Sequence, residues 1–251
     1  MDDSEKLATS VLEKAKGSII KSGIVDDGEI NYLSNQSDRY RFLIKAAHNH
    51  FHGNMKFLDV GSHLLHFAIA AKFIGYDVFG TDVQYHLQIP QNLKREKRHN
   101  ITNKLCDLSK HSIPFEDEYF DLVNFSETLE HLPFNPIPTL KEIFRVLKPK
   151  GALFITTPNA TRIGNRIRLL FGRNIYTSIA EYCNKVPYGI HYREYTLPEV
   201  VNLVKLAGFE ISYKSVLYFD KGSSWRKYIK SIVMVTNSNL AGNIFIKAIK
   251  K

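Results

Sequence analysis

No apolar run in the chain approaches the roughly 20 residues that span a bilayer, so a transmembrane helix is not expected. The opening stretch MDDSEKLATSV is acidic, with no basic segment leading into an apolar one, so no secretory signal is expected either. Cysteine is nearly absent. Cys106 and Cys183 are the two in 251 residues, far apart and outside any metal-type spacing. That pattern argues against a disulfide framework and suits reduced thiols in the cytoplasm. No internal repeat or low-complexity tract occurs. Together these features predict a soluble cytoplasmic protein.

What remains is ordinary globular composition, 44% apolar and 24% charged, with enough length for one large core and a modest elaboration. The 34 basic residues outnumber the 25 acidic ones, for a formal charge of +9. Such an excess suits an anionic partner: a phosphorylated substrate, nucleic acid or a membrane surface.

Helical spacing of apolar residues marks SEKLATSVLEKAKGSII and SDRYRFLIKAAHNHF, the latter with Ser37 as N-cap. KSGIVDDGEINYLSNQ between them reads as a loop. Residues 1–55 would thus form a helical cap. From Lys56 onward short strands alternate with helices: KFLDV, YDVFGTD, KLCDL, FDLVNFS and GALFITTPN are strands, while LLHFAIAAKFI and PIPTLKEIFRVLK are helices, the last closed by Lys148–Gly151. TLPEVVNLVKLAGF carries Thr196 as N-cap, Pro198 in the first turn and Gly208 at the end. EISYKSVLYF is a further strand, and NIFIKAIKK is expected as an antiparallel edge strand. This alternation predicts an α/β, Rossmann-like, doubly wound and mostly parallel seven-stranded sheet over residues 56–251. Residues 159–195 break the pattern. Arg162, Arg166, Arg168 and Arg173 stand there among Ile163, Ile167, Leu169, Leu170 and Phe171, which suggests a basic amphipathic lid helix.

The turn after the first strand, DVGSHLLH, has one glycine where nucleotide-binding loops usually have several. Gly61 allows the sharp turn and a close ligand approach. Asp82, about twenty positions on at the end of the second strand, can accept both hydroxyls of a ribose. Asp107 could accept from an adenine amino group, with Leu108 against the ring. Here the chain resembles the class I S-adenosylmethionine-dependent methyltransferases. The residues that carry the resemblance are LDVGS, GTD, CDL, PFEDEYFDLVNFSETLEHL, EIFRVLKPKGALFITTPN and LPEVVNLVKLAGFEI. It implies S-adenosylmethionine as cofactor, with Asp82 and neighbouring Val83 at the ribose and Asp107 and Leu108 at adenine. Asp59, Gly61 and Ser62 would lie by the methionine portion and Ser126 beside the sulfonium. A sulfonium cofactor has no pyrophosphate to cradle, so His63 and Leu65 are tolerable where their side chains point away.

In SETLEHL, Glu127, Glu130 and His131 stand at i, i+3 and i+4, so one helical turn would present all three. Two carboxylates and an imidazole can hold a divalent cation such as Mg²⁺, and His191 in HYREYT is the candidate fourth ligand. The four are similar to the set of the small-RNA 3′-terminal 2′-O-methyltransferases, and the first three to the cluster of the ubiquinone-pathway O-methyltransferases. Without an ion, His131 is the candidate general base, with Glu130 beside it.

Other features read as structural. Phe115, Tyr119 and Phe120 are packing residues. NLKREKRHN, Asn92 to Asn100, is a solvated basic helix face, and His48, His50 and His52 are exposed residues at a helix end. SSWRKYIKSIVMV sets Trp225 beside Arg226, Lys227 and Lys230; core packing of Ile229, Ile232 and Val233 is the default reading, and leaning on a membrane surface is the alternative. The expected function is methyl transfer, with oxygen on a small-molecule, sugar or glycan-precursor acceptor preferred. RNA-terminal 2′-O-methylation and a non-catalytic scaffold are the alternatives.

Overall fold

A computed structural model describes residues 2–110, 112–184, 189–219 and 238–251. The segment containing Trp225, Arg226, Lys227, Ile229, Lys230, Ile232 and Val233 lies outside the described residues. Seven strands form one sheet: β1 (Lys56–Val60), β2 (Asp77–Asp82), β3 (Thr102–Leu105), β4 (Phe120–Ser126), β5 (Leu147–Pro158), β6 (Glu210–Leu217) and β7 (Asn243–Ile249), in the order β3-β2-β1-β4-β5-β7-β6. β1 pairs in parallel with β2 and β4, and β2 with β3. β7 runs antiparallel to both β5 and β6. The last strand is therefore interior rather than the expected edge. Its Ile244, Phe245, Ile246 and Ala248 are buried, whereas β6 at the rim is mostly exposed and carries a bulge between Ile211 and Tyr213. An irregular, polar rim strand is a poor template for further pairing.

Two compact units divide the described residues. The first runs to Asn124 and adds Val146–Lys148 and Phe219; the second takes Phe125–Arg145, Pro149–Tyr218 and the C-terminal strand. In the first, helices α1 (Asp3–Lys21), α2 (Asp27–Asn35), α3 (Ser37–His48), α4 (His66–Ile74), α5 (Gln84–Leu87) and α6 (Pro90–His99) accompany the early strands. The segment expected as a loop contains α2, because Asp26 caps it by accepting from the Glu29 amide at 3.0 Å. Ser37 is not an N-cap. α3 follows α2 after Gln36 alone, and the Ser37 hydroxyl donates back to the Leu33 carbonyl at 2.8 Å.

The basic run on α6 is only partly a solvated face. Arg95 is wholly buried, donating to Glu29 Oε1 at 2.7 Å and to the carbonyls of Leu64 and Gly23 at 3.0 and 2.9 Å. Glu29 also meets His66 Nε2 at 2.7 Å and accepts from the Val25 amide at 2.7 Å. Burial raises the Glu29 carboxyl, but His66, the Val25 amide and Arg95 outweigh it and hold the pKa at about 2. The aromatic residues near β4 are packing, as expected: Phe79 meets Phe115, Tyr119 and Phe120 edge-on with centroids 5.5–5.6 Å apart. His48, His50 and His52 join no metal-type group among the described residues.

In the second unit, α7 (Ile137–Val146) leads directly into β5, and α8 (Ile163–Leu170), α9 (Ile179–Asn184) and α10 (Leu197–Leu206) follow. Thr196 and Glu199 form a full capping box at the start of α10, worth about 1 kcal/mol. The segment holding α8 and α9 is closed at its base by a bridge between Asn159 and Tyr195. α8 is shorter than its amphipathic pattern suggested, and Leu169, Leu170 and Phe171 are exposed. Among the described residues no helix is long and apolar enough to cross a membrane.

Removing one partner of a buried ion pair strands the other charge and typically costs about 3–5 kcal/mol. Arg95→Ala is expected to destabilise the chain by about that much in urea denaturation, whereas exposed Lys94→Ala moves the midpoint by about 0.5 kcal/mol or less. Equal effects of the two would contradict a clamping role for Arg95.

Candidate functional site

The β1–α4 turn holds three residues in the left-handed region, and only one of them is glycine. Gly61 lies at φ +77°, and His63 and Leu65 also sit in the left-handed region, at φ +45° and +61°. A non-glycine residue there costs on the order of 1 kcal/mol, so each must be held. The His63 amide donates to Asp82 Oδ2 at 2.5 Å, and the His63 carbonyl accepts from Asn92 Nδ2 at 2.7 Å. Arg95 holds the Leu64 carbonyl, and the Leu65 amide donates to the Ser62 carbonyl at 2.7 Å. The Leu65 side chain is fully buried, while the His63 ring stays exposed, edge-on to Tyr32 and His86. Opposite the turn, a Cβ on Gly80 would stand 2.6 Å from Asn103 Oδ1 and 3.2 Å from Ser62 Cβ. The small residue this site requires is therefore in the neighbouring strand.

The three acids expected at a cofactor differ in character. Asp59 is buried and accepts from Asn124 Nδ2 at 2.7 Å. Burial pushes its carboxyl up to about 7, with nearby Asp82 adding to the rise and Asn124 opposing it. Asp82 accepts from the Val83 amide and from His86 Nδ1, each at 2.7 Å, besides the His63 amide. Asp107 lies in the turn after β3. The Ser109 hydroxyl at 2.6 Å, then the Ser109 amide and Lys110, hold its carboxyl below the usual range against partial burial. Leu108 beside it is half-buried. Gly61, Ser62, Asp82 and Val83 thus converge at the ends of β1 and β2. The Leu65 side chain is turned into the core, whereas the His63 ring is exposed beside His86.

The second cluster follows β4, where Ser126 is the last strand residue. Glu127, Glu130 and His131 do not share one helical turn. Glu127 breaks the run at φ +51°, its amide donating to the Thr156 carbonyl and its Oε1 accepting from Thr156 Oγ1, both at 2.8 Å. Only Leu129–His131 make a 3-10 turn. Side-chain donor atoms of Glu130, His131 and His191 all lie within 4.8 Å of one another, and Glu127 is not in this group. Glu130 is fully buried and accepts from Thr157 Oγ1 at 3.0 Å, while its carbonyl accepts from the Tyr192 amide at 2.8 Å. The His131 and His191 rings meet edge-on at 4.8 Å. His131 Nδ1 lies 2.7 Å from the Ile190 carbonyl. Because a carbonyl only accepts, Nδ1 carries a proton in this bond, which fixes the orientation of the ring.

Several contributors were not anticipated. Glu194 Oε1 is 3.5 Å from His191 Nδ1, and Oε2 accepts from Arg162 and from Asn165 Nδ2. Burial raises the Glu194 carboxyl, but His191, Arg162 and Asn165 together hold it at about 2. Thr156 and Thr157 were readable only as two hydroxyls within an apolar strand. A groove of about 690 Å³ is lined by Leu132, Phe134, Tyr192, Arg193, Tyr195 and Leu203 among others, and Glu130, His131 and His191 are not part of its lining.

Residues 32–214 match the family model described as a methyltransferase domain. The chain belongs to that family, the class I S-adenosylmethionine-dependent methyltransferases. Among curated proteins it is 31% identical over 168 residues to the mitochondrial ubiquinone biosynthesis O-methyltransferase of Mus musculus, covering 62% of this chain and 42% of the relative. The chain spans less than half the length of the curated relatives it matches. Among solved structures it is similar in fold to the PH0226 protein of Pyrococcus horikoshii (TM-score 0.60, 18% identity, 91% and 94% of the two chains). It is likewise similar to a methyltransferase of Methanosarcina mazei described as SAM-dependent (TM-score 0.58, 22% identity, 82% and 96%).

The raised Asp59 pKa fixes the sign of a pH effect. Between its ordinary value of 3.8 and about 7, the folded chain keeps a proton that the unfolded chain has lost. Stability from this group therefore falls as pH rises from about 4 through 7, by up to about 1.4 kcal/mol per pH unit. Asp59→Asn, which can still accept from Asn124, is expected to remove that component. Urea midpoints of both proteins from pH 4.5 to 8.5 check it, and parallel profiles would show Asp59 to be ionised.

Proposed function

We propose that this chain methylates a hydroxyl oxygen of a small-molecule acceptor, taking the methyl group from S-adenosylmethionine. In this reading Asp82 and Val83 hold the ribose, Asp107 and Leu108 the adenine, and Asp59, Gly61 and Ser62 the methionine portion. Ser126 stands by the sulfonium. The observation that carries the acceptor half is the grouping of Glu130, His131 and His191, whose side-chain ligand atoms lie within 4.8 Å of one another, with the His131 ring oriented by its Nδ1 bond to the Ile190 carbonyl. His131 takes the hydroxyl proton as an oxygen lone pair attacks the methyl carbon. The carbon–sulfur bond breaks with its electron pair going to sulfur, so the positive charge there is discharged. Glu130 steadies the imidazolium, and correct alignment supplies much of the remaining rate.

The same atoms suit a divalent cation. Glu130, His131 and His191 would be its ligands, and a bound cation would lower the pKa of the acceptor hydroxyl. Two imidazoles with one carboxylate match Mn²⁺, Fe²⁺ or Zn²⁺ better than the oxygen-seeking Mg²⁺. Glu127, engaged by Thr156, serves in this reading as a support for the turn.

Oxygen as the acceptor atom is supported by relatives named as O-methyltransferases. Aromatic residues lining the groove that begins at Leu132, the residue after His131, suit a ring-bearing acceptor, sugar or phenol. Arg193 and the arginines of the segment holding α8 suit an anionic group on it. Cys106 and Cys183, neither of them in a disulfide, fit a cytoplasmic setting.

With labelled S-adenosylmethionine and a panel of catechols and nucleotide sugars, His131→Ala is expected to lower turnover by about 100-fold or more. Its affinity for S-adenosylhomocysteine should not change. Loss of activity on chelation, restored by Mn²⁺, would assign the cation, and full activity after chelation would leave His131 as base alone. Wild-type turnover in His131→Ala would refute both roles.

A further inference from the structure

Asp82 is more crowded than an acid awaiting a ribose should be. Its two oxygens offer about four acceptor sites. Oδ1 takes the Val83 amide and His86 Nδ1, each at 2.7 Å, and Oδ2 takes the His63 amide at 2.5 Å. One site remains, on Oδ2. A ribose held through both vicinal hydroxyls needs a site on each oxygen. Two of the present donors are backbone amides, that of His63 in the β1–α4 turn and that of Val83, the residue next to Asp82. The third is a side chain. His86 lies in α5, a helix of four residues, and is half-buried, with its ring edge-on to His63 at 4.7 Å and Tyr85 at 5.3 Å. A χ1 rotation frees the Asp82 oxygen without moving the backbone.

We propose that His86 is a latch on Asp82: its Nδ1 occupies the place of the second ribose hydroxyl, and a nucleoside ligand is held through both hydroxyls only after displacing it. The proposal rests on the reading of Asp82 as the ribose acid. It makes His86 a residue that sets cofactor affinity and the discrimination between ribose and deoxyribose. The latch also satisfies the buried carboxylate when no ligand is present, which an alanine or aliphatic residue could not do.

Calorimetry with S-adenosylhomocysteine and its 2′-deoxy and 3′-deoxy analogues tests this without any acceptor. Displacing a hydrogen bond to a carboxylate reduces affinity, so His86→Ala is expected to bind S-adenosylhomocysteine about ten-fold more tightly than wild type. The preference for the full ribose over the weaker-binding deoxy analogue should widen from a few-fold to more than ten-fold. His86→Gln, which can still donate to Asp82, should behave like wild type. His86→Phe, keeping a ring without a donor, should follow the alanine variant and serves in its place if that variant folds poorly. Equal or weaker binding by the alanine and phenylalanine variants, with an unchanged ribose preference, would overturn the latch while leaving the cofactor reading intact. No binding of S-adenosylhomocysteine by any of the proteins would instead overturn the cofactor reading, and the latch with it.

Discussion

The turn from Gly61 to Leu65 is the constraint on which the first unit is arranged. Two residues with side chains occupy backbone conformations that favour glycine, and neither would stay there unaided. Three polar groups of the strained turn are met from elsewhere in the unit. Asp82 takes the His63 amide, Asn92 holds the His63 carbonyl, and Arg95 holds the Leu64 carbonyl. Arg95 in turn needs Glu29, and Glu29 needs α2 to carry it. The N-terminal helices are thus joined to the turn by a continuous chain of charge-assisted hydrogen bonds. They act on the turn as a clamp. Where a glycine-rich loop is permitted its shape by small residues, this one has its shape imposed.

This explains what could and could not be read from the sequence. The strands β1, β2, β4 and β5 were legible because buried strands show as short apolar runs. The capping box at Thr196 was legible because its chemistry is local. α2 was not, because Gly28 and three acids resemble a turn until Glu29 is known to meet Arg95 some 66 positions away. For the same reason Asn92 and Arg95 looked like members of a solvated basic face. The interior position of β7 is a property of pairing, and an apolar strand with two terminal lysines reads equally well as an edge. In the cluster after β4, the residue types were readable but their assembly was not. A helical spacing was assumed where the chain makes a left-handed residue and a single 3-10 turn, and that change of backbone takes Glu127 out of the group.

The second unit shows a related economy. The groups around His131 come from segments distant in sequence, yet backbone bonds bring them into register. The Glu130 carbonyl receives the Tyr192 amide, and the Ile190 carbonyl orients the His131 ring. One short stretch, Ile190 to Glu194, orients one histidine, supplies another and carries the glutamate that pins Arg162 at the start of α8. A change anywhere in that stretch would alter the ring's orientation and the charged segment together. One loop therefore links the orientation of the His131 ring to the Arg162–Glu194 pair.

Low identity to solved structures of the same fold is what such a design allows. A parallel sheet needs only apolar strands and close turns, and many sequences meet that demand. The acids at the strand ends need only positions, since hydrogen bonds from neighbours can place them. What each chain must solve for itself is how to hold those positions with its own residues. Here the solution replaces glycines with a buried arginine, an asparagine and a histidine. The backbone freedom of small residues is exchanged for side-chain bonds that are stronger but more easily broken by one substitution. A chain built this way should tolerate change on its exposed helix faces and very little at Glu29, Asn92 or Arg95, although none of the three stands in a recognisable motif.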